Sequence, residues 1–91
     1  MNQAKVEKIF REIASMLKEN SLKDREFLIL LANMLVAFGR EGLKLFPEFD
    51  QVNTSDASIV ELALTQNPNN AYLAAILQGH ALIKWSEHIG E

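Results

Sequence analysis

Residues 27–38 read FLILLANMLVAF, and no charge falls between Glu26 and Arg40. Asn33 is the one polar side chain in the run. At helical spacing Leu28, Leu31, Leu35 and Phe38 lie along one side, and Leu30, Met34 and, roughly, Phe27 along another. A helix that is apolar nearly all round has no solvated face, so other elements must cover it or a second chain must share it. The run is also too short to cross a bilayer, which takes about 20 apolar residues. It therefore predicts the central helix of an all-α fold.

The flanks give this helix its ends. Ser21 followed by Asp24 fits a helix start, with a capping oxygen and an acid near the positive end of the dipole. The helix is expected over about 22–38. It extends to 45 if Gly39 and Gly42 do not stop it, and Pro47 sets the limit because the residue before a proline disfavours helix. Asn33 has two readings: a polar side chain at the wet edge of the core, or an Asn facing its symmetry mate across a helix pair.

Working outward, residues 3–19 form the clearest amphipathic helix. Val6, Ile9, Phe10, Ile13, Met16 and Leu17 repeat at i, i+3, i+4 and i+7, and charges fill the other face. The expectation is one face on the core and one in water. A short turn at Asn20–Ser21 makes helices 1 and 2 antiparallel neighbours. After Pro47 the segment 46–55, FPEFDQVNTS, reads as the main loop, with Phe46, Phe49 and Val52 as its anchors. A third helix is expected over about 56–66, capped by Thr54 or Ser55. Asn67-Pro68, with Asn at the cap and Pro at the first helical position, signals the start of a fourth, over about 69–88, with Asn69 and Asn70 as alternative caps. Its Ala71, Ala74, Ala75 and Gly79 are small. The tail from Trp85 to Glu91 turns polar and is expected to fray. The fold predicted is a compact four-helix, bundle-like single domain over 1–91, with the second and fourth helices as the inner pair.

Of 91 residues, 48% are apolar. A domain this small buries roughly 60–65% of its unfolded surface, so the apolar surplus points to a partner chain. There is no Cys, which excludes disulfides, thiolate metal sites and cysteine nucleophiles. Small secreted domains often need disulfides, and the opening MNQAKVEKIF lacks the apolar centre of a signal peptide. Both features favour a soluble, cytoplasmic protein. Residues 1–46 carry eight Lys/Arg and six Asp/Glu, whereas 47–91 carry only Lys84 against six acids. The acidic C-terminal half repels nucleic acid and anionic lipid.

Little in the chain suggests catalysis. His80 and His88 are two helical turns apart, about 12 Å along the axis and too far for one metal ion. No serine stands in a Gly-flanked elbow. Glu48 and Asp50 flank Phe49 in the loop, where acids are ordinarily solvated. Gly39-Arg40-Glu41-Gly42 lacks the Lys-Ser/Thr of a phosphate loop. A helix–turn–helix at Asn20 would place the most apolar helix in a DNA groove. The reading excludes a metal, a cofactor, a nucleic acid and a membrane, and leans away from an enzyme.

What remains is surface. The chain reads as a small protein–protein interaction module, homodimeric or bound to another protein. Its interface candidates are Leu31, Asn33 and Leu35 on helix 2 and Ala75 and Gly79 on helix 4. Tyr72, Trp85 and Phe49 are possible anchors for a partner. The alternative is a small-molecule-binding helical domain, with an apolar pocket between helices 2 and 4 near Asn33, Met34, His80 and Trp85.

Overall fold

The computed structural model describes residues 2–89. Met1, Gly90 and Glu91 lie outside the described residues, and with them the end of the tail expected to fray. The order is α1 (Gln3–Glu19), α2 (Asp24–Leu43), a 3-10 turn (Pro47–Phe49), α3 (Ala57–Gln66) and α4 (Ala71–Ser86). The fold is all-α and bundle-like, as the periodicity implies, and α2 and α4 pack extensively as its inner pair.

Each helix start has a local cause. The Asn2 side chain accepts from the Lys5 N–H at 3.1 Å and opens α1. Asp56 accepts from the Ser58 and Ile59 N–H groups and opens α3. Asn70 accepts from Tyr72 and Leu73 at 2.9 and 3.0 Å and opens α4. These oxygens satisfy donors that a helix leaves free in its first turn. Three sequence expectations shift accordingly. Ser21 does not cap α2; it takes φ +50°, a left-handed conformation in the turn between α1 and α2. Lys23 stands at the cap position instead, and the Glu26 carboxylate accepts from its N–H at 3.0 Å. Thr54 and Ser55 do not cap α3: Asp56 holds the cap position, and the two hydroxyls accept from Arg40 instead, Nε donating to Thr54 Oγ1 at 3.0 Å and Nη2 to Ser55 Oγ at 3.2 Å. Asn67 closes α3 rather than opening α4, its Nδ2 donating to the Ala63 carbonyl at 2.9 Å.

The longer alternative for α2 holds. The helix runs through Gly39 and Gly42 to Leu43, and neither glycine has positive φ. Their use is in packing. A Cβ on Gly39 would fall on the Ile76 side chain and 2.6 Å from the Tyr72 carbonyl oxygen, and one on Gly42 would enter the Tyr72 ring. On the facing helix, a Cβ on Gly79 would strike Val36 and lie 3.0 Å from the Ala32 carbonyl oxygen. Three missing side chains thus let two backbones meet. The seam is filled by Ala32 and Val36 from α2 and by Ala75 and Ile76 from α4, all buried. Below it Leu43, Val60, Ala63, Leu73 and Ile76 form the core, with Phe49 and Val52 packed on it from the loop. Phe46 joins by stacking edge-on against Phe49 and tilted against Tyr72, at 6.2 and 6.1 Å between centroids. His80 Nε2 lies 2.7 Å from the Thr54 carbonyl oxygen, so the loop is held from α2 by Arg40 and from α4 by His80.

The main departure from expectation is α1. It contributes no buried residue. Phe10 is 69% and Met16 59% exposed, Val6 and Ile9 are also exposed, and only Ile13 and Leu17 are half-buried. The apolar face is real, but α4 occupies the side of α2 that carries the core, and α1 lies outside it. The molecule is accordingly flat. Its extents are 41 × 37 × 17 Å and its radius of gyration 15.0 Å, against about 12 Å for a compact domain of this length.

The glycine seam gives a direct test. Gly39→Ala should gain up to ~1 kcal/mol of helix propensity and lose about 1–3 kcal/mol to overpacking against the Tyr72 backbone. The expected outcome in urea unfolding is a lower midpoint with unchanged slope. A raised midpoint would mean that α2 and α4 do not approach as closely as described.

Candidate functional site

A helix with two apolar sides and one internal partner leaves one side open. In α2 the residues facing α4, Ala32, Val36, Gly39 and Leu43, are buried. The opposite side carries Phe27, Leu30, Leu31 and Met34. Together with Phe10, Ile13, Ala14 and Leu17 of α1, these line a groove of about 400 Å³. The short connection from Asn20 to Lys23, with Ser21 in its left-handed turn and Asn20 Nδ2 donating to the Met16 carbonyl at 2.8 Å, holds the two walls together at one end.

Every lining side chain is apolar. The groove therefore holds no acid, base, nucleophile or metal ligand, and no donor or acceptor side chain to orient a polar molecule. What it offers is apolar surface. The lining residues Phe10, Phe27, Leu30 and Met34, with Val6, Ile9 and Met16 of α1 outside the lining, together expose the equivalent of about three and a half whole side chains. At ~200 Å² for each large side chain that is on the order of 700 Å². The largest apolar patch on an ordinary monomer is about 300–600 Å², and a stable interface buries about 800 Å² on each partner.

Two shallower hollows flank the loop. One, of about 330 Å³, lies among Phe46, Glu48, Phe49 and the turn Asn67–Asn70. The other, of about 210 Å³, lies among Arg40, Leu43, Lys44, Phe49, Asp50, Val52 and Thr54. Their polar groups have structural employment: Asn67 and Asn70 end and start helices, and Arg40 holds Thr54 and Ser55. Glu48 and Asp50 fall in different hollows and form no carboxylate pair lining a common one. Among the described residues no three His, Asp or Glu side chains gather to hold a metal ion. No described helix is long and apolar enough to cross a membrane.

The residues singled out from the sequence divide between these places. Leu31 is half-buried and lines the groove, as does the exposed Met34. Leu35 is half-buried. Asn33 is exposed, on a ridge it shares with Glu26 and Arg40, each seven residues from the next. That spacing keeps the three on one stripe of the helix, between its two apolar sides. Ala75 and Gly79 are buried, and the helix their small size admits is α2 of the same chain, so neither is free for a partner. The proposed pocket between α2 and α4 is occupied by that same packing. Of its four candidates, His80 is engaged with the Thr54 carbonyl, Trp85 is 64% exposed, and Met34 faces the α1–α2 groove instead. Of the possible anchors, Tyr72 and Phe49 are half-buried against the core, and only Trp85 stands out in solvent.

Phe10, Ile13, Ala14, Leu17, Phe27 and Leu30 are not marked as site residues by the sequence. The signal is present in the α1 stripe, whose periodicity assigns it to the core. Compared with protein-family models, curated proteins and solved structures, the chain matches none.

Proposed function

We propose that this chain is a small, soluble, cytoplasmic protein–protein interaction module that works as a homodimer and carries no catalysis of its own. The observation that carries the reading is the open apolar face of α1 and α2, on the order of 700 Å² across two helices and free of charge in its lining. Apolar area of that extent is costly in water, and no described element lies over it. A symmetric contact between two copies would cover the same patch on both, since a two-fold interface is self-complementary. The cytoplasmic placement is supported by the absence of cysteine.

A small-molecule site is less well supported. The groove has the volume of a ligand pocket, but such pockets carry a few placed polar groups that fix orientation, and none lines this one.

Absolute mass by light scattering across a concentration series tests the proposal. A mass near twice 10.3 kDa, falling toward 10.3 kDa on dilution, is expected. A monomer at every concentration overturns the dimer. A monomer whose melting temperature rises with added lauric acid, a purely apolar chain on one carboxylate, would transfer the groove to the ligand reading.

A further inference from the structure

We infer that the second copy seats through α1: each chain's α1 lies along the other's α1–α2 groove, so that four helices, two from each chain, close one shared apolar core. The inference rests on the homodimer reading above and specifies which surface joins the copies.

Three observations select this face. The first is area. The α1–α2 side alone exposes nearly what one partner of a standard interface buries, about 800 Å². The other exposed large apolar residues, Ile29, Phe38, Leu45, Ile59, Leu62 and Trp85, are spread over α2, the turn after it, α3 and α4, and none lines the groove.

The second is charge. Residues 3–19 interleave four cations, Lys5, Lys8, Arg11 and Lys18, with three acids, Glu7, Glu12 and Glu19. Two copies of α1 brought side by side meet mixed signs. α3 and α4 carry one charge each, Glu61 and Lys84, so a contact between copies through them has almost no charge pattern to set its register.

The third is availability. α1 gives no residue to its own chain's core, so nothing has to be displaced for it to serve a second chain. Among the large side chains that line the groove Phe10 is the most exposed, at 69%. It is therefore the side chain each copy inserts into the other. α1 acts as a wall of its own groove and as the filler of its partner's, the reciprocity that a two-fold axis requires.

The test is a pair of substitutions read by mass. Phe10→Glu should raise the monomer–dimer dissociation constant roughly a hundredfold or more, since two aromatic rings lose their burial in each dimer. Its thermal unfolding should remain cooperative because Phe10 is outside the core. Leu62→Glu should leave the dimer intact. If Phe10→Glu still dimerises and Leu62→Glu does not, the seat is wrong while the dimer reading stands. If the unaltered chain is monomeric throughout, the reading itself fails and takes the seat with it. Should Phe10→Glu not fold, Ala14→Cys decides. The chain has no other thiol, so a short bis-maleimide should give covalent dimer at Ala14→Cys and little at a Ser58→Cys control. Equal yields, or more at the control, would overturn the seat.

Discussion

The close approach of α2 to α4 is the constraint on which the other features depend. It exists because Gly39, Gly42 and Gly79 present no side chain at the crossing, and Tyr72, Ile76 and Val36 occupy the space instead. Once the two backbones meet there, α4 has taken the side of α2 that holds Ala32 and Val36. The core then grows toward Leu43 and α3, and the long loop is drawn onto it by Phe49 and Val52 and by the polar ties of Arg40 and His80. The glycines weaken α2 as an isolated helix, at up to ~1 kcal/mol each. Tight packing along the seam offsets that loss.

The same seam covers only one side of α2. A helix of this kind has room for two apolar neighbours on opposite sides. One is α4. The other side receives only the edge of α1, so both helices leave apolar side chains in solvent around a groove. A helix of 17 residues with no buried side chain has little to hold it in water, because isolated helices of that length are marginal. Covering the groove would stabilise α1 and remove exposed area in one step. The causes run in one order: glycines set the inner pair, α4 takes one side of α2, and α1 is left with its apolar face in solvent.

Much of this was legible in the chain. The periodicity of α1, the turn at Asn20–Ser21 and the asparagines at 67–70 placed four helices within a few residues of their observed ends. The two-sided apolar character of Phe27–Phe38 marked α2 as central. The small residues of α4 were recognised as a place of close helix approach, but the sequence does not say which helix approaches. That depends on which of two apolar sides of α2 fits a glycine-bearing neighbour, a matter of shape that periodicity does not carry. The amphipathic stripe of α1 points to the core for the same reason, although α1 buries no residue. An apolar face looks alike whether its cover is in the same chain or another. Asn33 was the subtler case. It interrupts the apolar run, yet its register with Glu26 and Arg40 places it on the polar ridge between the two apolar sides.

The central claim is that the face of α1 is covered by a second copy of the chain. Amide hydrogen exchange, read segment by segment at low and high protein concentration, tests it most directly. The account predicts that protection in Gln3–Glu19 rises with concentration, while protection in the α4 segment around Leu73–Gly79 stays high throughout. Protection in α1 that is independent of concentration would contradict it.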